Sequence, residues 1–428
     1  MGDLNQTPSA SRLHISFFGC RNAGKSSVVN AVTNQELSIV SEVRGTTTDP
    51  VQKAMELLPL GPVVIIDTPG IDDEGALGEL RVQRTKRILN KTDLAVLVVD
   101  GTVGMREADR QLVELFIQKE LPYLIVYNKS DLLPAVPTEN GHAIWVSATQ
   151  KTNIFELKER LGTLVKDDSA AHHLLRHLLH PLDLVILVCP VDESAPKGRL
   201  ILPQQQAIRE VLDAGAIAVV IREHELSATL ERIGEKAAMV ITDSQAFSLV
   251  GSLVPDAIPL TSFSILMANY KGFLKTAVAG VAALRSLQDG DTVLIAEGCT
   301  HHRQCNDIGT VKLPGWLRAY TGKQLKFEFC SGQEFPEDVT RYAMVVHCGG
   351  CMLTQREIQY RMRCTTDQKV PFTNYGTVIA CVTGTLERSL RVFPEMHDIR
   401  RTQYERQMVR LCDPDSEYCA GRASVRKR

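Results

Sequence analysis

The sequence predicts an α/β protein of three consecutive domains, and three observations predict it. Up to residue 166, strand-length apolar runs end one after another in short glycine-rich or polar motifs. From 170 to 265, similar runs alternate with helical stretches but carry no such motif. From 266 to 395, two Cys/His clusters each stand directly behind a strand-like run, and a polar tail (396–428) follows. Strand–helix alternation of this kind makes parallel sheets covered on both faces.

Composition narrows the class. With 428 residues, 44% hydrophobic and 23% charged, the chain is long enough for several cores and ordinary for a globular protein. A formal charge of −2 gives no general attraction to nucleic acid or to an anionic membrane. Apolar runs such as Leu94–Val99 are strand-length and flanked by charges, so no bilayer span is expected. The first dozen residues lack the basic start and apolar stretch of a signal peptide, which predicts a cytoplasmic location. There, eleven cysteines read as thiols or metal ligands before disulfides.

The run Leu13–Phe18 leads into Gly19-Cys-Arg-Asn-Ala-Gly24-Lys25-Ser26, a full G-x-x-x-x-G-K-S, and then into a helical pattern. Strand, glycine-rich loop and helix make a phosphate site: glycines let the backbone wrap, its N–H groups face the anion, and the helix dipole adds to them. Asn22, Ala23, Gly24, Lys25, Ser26 and Ser27 are therefore the expected phosphate-binding residues. Lys25 is expected to reach the β/γ-phosphates and Ser26 to ligate Mg²⁺.

The rest of a nucleotide site follows in order. Val63–Ile66 ends in Asp67-Thr-Pro-Gly70, with Asp67 in the Mg²⁺ shell and the Gly70 N–H sensing the γ-phosphate. Leu121–Tyr127 ends in Asn128-Lys129-Ser-Asp131, whose Asp131 carboxylate can accept two N–H bonds from guanine. Adenine offers an acceptor there and would leave the carboxylate unpaired. Ser147-Ala148 adds a base contact, and Thr47 in the polar loop Gly45–Asp49 is placed to close on Mg²⁺ and the γ-phosphate. Lys25, Thr47 and Gly70 are thus the expected catalytic residues of a P-loop GTPase domain. The pattern resembles the Era/TrmE branch of GTPases. Ile71 stands where Ras-type enzymes place a water-orienting Gln, and Asn22 matches the K⁺ ligand of the potassium-stimulated members. The resemblance implies slow hydrolysis of GTP, stimulated by K⁺ and by dimerisation.

In the second region, Leu182–Cys189, Ala216–Ile221 and Ala238–Ile241 read as strands of a small, doubly wound dimerisation-type domain. A long helix, Met267–Leu287, is expected to follow. Next comes the strand Thr292–Ala296, with Cys299, His301 and Cys305 just behind it. The strand Tyr342–Val346 runs into His347-Cys348-Gly-Gly-Cys351. If the two strands are parallel neighbours, their carboxyl ends bring the clusters together. A C-x-x-C turn suits a redox pair, a zinc half-site or an iron–sulfur half-site. Cys299 offers a third thiolate, and the fourth ligand stays open among Cys305, His301, His347 and an exogenous molecule.

Cys-x-His followed by His-Cys-x-x-Cys, behind an Era-like GTPase and an intervening α/β domain, resembles the HydF family of [FeFe]-hydrogenase maturation GTPases. The resemblance covers nearly the whole chain. It implies a C-terminal α/β metal-cluster domain with a [4Fe–4S] cluster on Cys299, Cys348 and Cys351. It also implies a homodimeric carrier that takes a di-iron precursor from radical-SAM maturases to apo-[FeFe]-hydrogenase, with neither nucleic acid nor membrane as partner. Two rival readings remain: an Era/TrmE-type RNA-directed GTPase with a zinc-stabilised C-terminal domain, and a thiol oxidoreductase using Cys348 and Cys351. Near-neutral charge and 5% aromatic residues argue against the first.

Overall fold

The computed structural model describes residues 9–34, 51–68, 85–136, 141–165, 173–190, 200–233, 236–298, 307–332 and 334–393. The chain forms two compact units. The first is Met1–Asp168 with Met352–Glu357; the second is Ser169–Cys351 with Ile358–Arg428.

The first unit holds six strands: β1 (Leu13–Phe18), β2 (Val51–Leu57), β3 (Gly61–Asp67), β4 (Leu94–Asp100), β5 (Tyr123–Asn128) and β6 (Ala143–Trp145). They lie in the order β2-β3-β1-β4-β5-β6, parallel throughout except for β2, which runs antiparallel to β3. Strands of such a sheet are buried on both faces and read as continuous apolar runs. Successive side chains still point to opposite sides. Ile15, Phe17, Val96 and Val98 pack with Val28, Val29 and Val32 of helix Lys25–Thr33. Phe18, Leu97 and Val99 face the opposite layer, with Leu112 and Phe116 of helix Glu107–Gln118. Strand β1 lies between β3 and β4, so the loop leaving it opens at the point where the strand order reverses, the usual ligand position of such sheets.

The second unit contains two four-stranded sheets. One has the order β10-β9-β7-β8, from β7 (Leu184–Val188), β8 (Ile217–Ile221), β9 (Ala237–Thr242) and β10 (Leu260–Ser262). The other has the order β12-β11-β13-β14, from β11 (Thr292–Ala296), β12 (Lys326–Cys330), β13 (Met344–His347) and β14 (Phe372–Asn374). All neighbours in both are parallel.

The single helix expected over Met267–Leu287 does not form. Helix Phe263–Tyr270 begins directly after β10 and ends at Gly272, and Leu274–Val281 starts a second helix. Gly272 has φ 75° and donates to Asn269, while Phe273 N donates to Ala268 O at 2.9 Å. These are the paired bonds of a Schellman termination, which requires a left-handed residue and favours glycine. Residue 266, the expected domain boundary, therefore lies inside a helix. Among the described residues no helix is long and apolar enough to cross a membrane.

Candidate functional site

The P-loop is shaped by two left-handed residues, Asn22 (φ 67°) and Gly24 (φ 81°). A Cβ on Gly24 would overlap the amide of Asn128, so glycine is needed there for space as well as for conformation. Asn128, at the end of β5, ties the loops together. Its Nδ2 donates to Ala23 O at 3.1 Å, and its Oδ1 accepts from Ala148 N at 3.1 Å. The P-loop, the end of β5 and the Ser147-Ala148 loop are thereby tied to one side chain, at the carboxyl ends of β1, β5 and β6.

Lys25 and Ser26 open their helix, where backbone N–H groups and dipole favour an anion. Lys25 Nζ pairs with Asp67 Oδ1, and Ser26 Oγ donates to Asp67 Oδ2 at 3.2 Å. Lysine, hydroxyl and carboxylate thus meet where β/γ-phosphates and Mg²⁺ are expected. Lys129 is left-handed (φ 67°) and pairs with Asp100 at 2.6 Å. Burial alone would raise the Asp100 pKa, but hydrogen bonds from Lys129 and Thr102 outweigh it and hold it below the usual range. Asp131 stands exposed on the turn Ser130–Leu132, and Ser27 and Asn22 are exposed on the P-loop side. Thr47, Gly70 and Ile71 lie outside the described residues.

In the second unit, β11 and β13 are adjacent and parallel, with Ala296 opposite His347. The carboxyl ends of both strands therefore share one edge of the sheet. Cys348 N donates to Ala296 O at 2.8 Å, and Gly298 N donates to Cys348 Sγ at 3.1 Å. Gly350 N reaches the same sulfur at 3.4 Å, with Gly350 in a left-handed conformation (φ 67°) that turns the chain back toward Cys351. Burial, then the neighbouring Cys351, pushes the Cys348 thiol up to about 12, against the two N–H donors and the Arg361 charge. A bound metal ion reverses that preference by stabilising the thiolate directly.

The donor set fits a soft metal or cluster. Two sulfurs stand on one glycine turn, and one of them already receives two backbone N–H groups, the pattern that supports a ligating thiolate. Among the described residues no group of three or more Cys, His, Asp or Glu could hold a metal. Cys299, His301 and Cys305 lie outside the described residues, directly beyond Gly298.

His347 corrects one expectation. It is fully buried, its Nδ1 bonds the Cys348 carbonyl at 2.8 Å, and its Nε2 faces Arg361 Nη1 at 3.2 Å. Arg361 can only donate, so Nε2 is the acceptor and Nδ1–H the donor. Burial first, then the Arg361 charge, lowers the His347 pKa to about 3, so the ring is neutral. Both nitrogens are engaged by protein, and His347 braces the cysteine turn instead of presenting a ligand. Arg361, itself fully buried, also donates to Gly332 O and lies over the Phe335 ring. Sequence reasoning missed it. The available signal was its place on the buried stripe Ile358–Arg361–Thr365 of helix Gln355–Asp367.

Three family models match successive stretches of the chain. Residues 14–129 match the family model of the 50S ribosome-binding GTPases. Residues 174–272 match the hydrogen maturase F dimerization domain, and 275–392 its tetramerization domain. The tRNA modification GTPase MnmE of Synechococcus sp. (strain JA-2-3B'a(2-13)) is 35% identical over 156 residues, 35% of this chain and 33% of that protein. MnmE of Streptococcus agalactiae serotype Ia is 26% identical over 227 residues, 52% of this chain and 46% of that protein. The chain thus spans between a third and a half of the length of these curated relatives. Aquifex aeolicus Era bound to GDP·AlF4⁻ is 20% identical, covering 52% of this chain and 98% of that one, with a TM-score of 0.31.

Proposed function

Because this chain belongs to the hydrogen maturase F family of GTPases, we propose that it is a GTP-hydrolysing carrier for hydrogenase maturation. In this reading Cys299, Cys348 and Cys351 hold a [4Fe–4S] cluster, and a di-iron precursor made by radical-SAM maturases is delivered as cargo to apo-[FeFe]-hydrogenase. The protein acts as a cytoplasmic homodimer. The observation that supports the reading is the bond from Gly298 N, on the residue before Cys299, to Cys348 Sγ.

The residues divide the work. Lys25 leaves Asp67 for the β/γ-phosphates when nucleotide binds, Ser26 and Asp67 serve Mg²⁺, and Asp131 reads guanine. Thr47 and Gly70 close on the γ-phosphate and make nucleotide state a conformational signal. Asn22 supports a K⁺ ion beside the phosphates, so GTP turnover is expected to be faster in KCl than in NaCl; equal rates remove that assignment. The cluster, when bound, supplies an iron site for holding cargo. Gly298, Gly350, His347 and Arg361 fix the sulfurs that receive it and screen them from water. Delivery is tested by mixing cargo-loaded protein with apo-hydrogenase. Hydrogen evolution should appear with the wild type and fail with Cys348→Ala; activation by the variant would refute the role of the cysteine turn.

A further inference from the structure

The two sheets of the second unit have the same topology. In each, the second strand lies outside the first, and the third and fourth follow on its other side. The likeness extends to individual hydrogen bonds. Leu182 N donates to Gly215 O in one sheet, and Gly290 N to Gln324 O in the other. His180 N donates to Asp183 Oδ2 at 2.7 Å, and Gln288 N to Asp291 Oδ2 at 2.7 Å. Cys189 N reaches Ile221 O, as Glu297 N reaches Cys330 O. The fourth strand passes directly into a helix in both, capped by Ser262 through Ile265 N and by Asn374 through Thr377 N. Both helices end in the same Schellman bonds, at Gly272 (φ 75°) and at Gly384 (φ 74°). The sequences agree over these stretches: Pro259-Leu-Thr-Ser-Phe against Pro371-Phe-Thr-Asn-Tyr, and Ala238-Met-Val-Ile against Ala343-Met-Val-Val.

We infer that the second unit is an internal duplication whose two copies face each other across a local twofold at Ser264 and Gly376, so that the first copy forms part of the wall behind the cysteine turn. Ser264 and Gly376 occupy equivalent positions, the second residue of the helix after the fourth strand. Ser244 and Gly349 are equivalent too, each in the turn after the third strand. The contacts between copies obey the exchange. A Cβ on Gly376 would lie 3.3 Å from Ser244 Oγ, and one on Gly349 would lie 3.5 Å from Ser264 Oγ. Reciprocal pairing of this kind is what a twofold axis produces. Ser264 of the first copy thereby backs Gly349, inside the Cys348–Cys351 turn of the second. Only the second copy is fitted for a thiolate metal site. Where it has Gly298 and Cys348, the first has Pro190 and Asp243, and proline has no N–H to offer a sulfur.

The wall role rests on the metal reading above; the twofold does not. Both are tested by exchanging residues across the axis in the full chain, purified and loaded with iron and sulfide without oxygen. A Cβ on Gly376 would lie 2.6 Å from Ser264 Oγ, so Gly376→Ser alone should lower the thermal midpoint, lower iron content and alter the EPR spectrum of the reduced cluster. The double variant Ser264→Gly/Gly376→Ser should recover most of all three. Should Gly376→Ser be insoluble, recovery of soluble protein by the exchange is the supporting result. A double variant as damaged as Gly376→Ser would overturn the twofold. Thermal rescue with an unchanged spectrum and iron content in every variant would keep the twofold and overturn the wall role. Iron-free wild-type protein would overturn the metal reading and the wall role together, while thermal rescue would still support the twofold.

Discussion

Gly298 N lies 3.1 Å from Cys348 Sγ, a bond between residues at the ends of two adjacent parallel strands. An N–H aimed at a ligating sulfur stabilises added negative charge on the metal site. Gly298→Pro removes that donor. It should leave iron bound while moving the reduction midpoint to a more negative potential, read by EPR-monitored titration. An unchanged midpoint would show that the bond does not act on the cluster.

Arg361 braces the same turn through His347, and both side chains are fully buried. Arg361→Met leaves Nε2 of His347 and the Gly332 carbonyl without this donor, which should cost about 1–3 kcal/mol of stability in chemical denaturation. It also removes a fixed positive charge near the sulfurs, so the reduction midpoint should fall as well. Arg361→Lys keeps the charge without the planar fork, and should lose stability while retaining more of the midpoint. A variant Arg361→Met with wild-type stability would contradict the bracing role.

At the P-loop, Gly24→Ala places a side chain on a left-handed residue, at roughly 1–2 kcal/mol, and against the Asn128 amide. Asn128 holds both Ala23 and Ala148, so the damage should spread to the base site. GTP affinity measured by calorimetry should fall at least about tenfold, the equivalent of roughly 1.4 kcal/mol. Wild-type affinity would mean that the loop tolerates the contact.

Asp131 is expected to accept two N–H groups from guanine. Asp131→Asn exchanges acceptors for a mixed amide and should cost about 3 kcal/mol, roughly a hundredfold in GTP affinity. Xanthine carries an oxygen in place of the guanine amino group, so xanthosine triphosphate should bind the variant better than GTP does. Retained GTP preference would place guanine recognition elsewhere.

Much of this was legible in the sequence. Strands β1, β3 and β5 are largely apolar runs ending in motifs, and both signals agree. The two strand-like runs with Cys/His clusters behind them were readable, and their pairing as β11 and β13, only a condition at the level of sequence, is supplied by the fold. The hidden parts have physical reasons. Strands β10 and β14 have three residues each, too few for a periodic signal, and pass straight into helices. The apolar pattern of Met267–Leu287 runs through Gly272, whose αL turn depends on backbone hydrogen bonds that periodicity does not register. His347 looked like a ligand because a buried position for Arg361 on its helix does not say which residue it meets; only packing brings the two together.

Anaerobic purification followed by iron and sulfide analysis, with EPR after reduction, is the most direct test of the cysteine site. A [4Fe–4S] cluster on the cysteine turn predicts about four irons and four sulfides per chain with a reduced-cluster signal in the wild type. Cys348→Ala should lose both while still hydrolysing GTP. Zinc in place of iron, or a full cluster in Cys348→Ala, would contradict it.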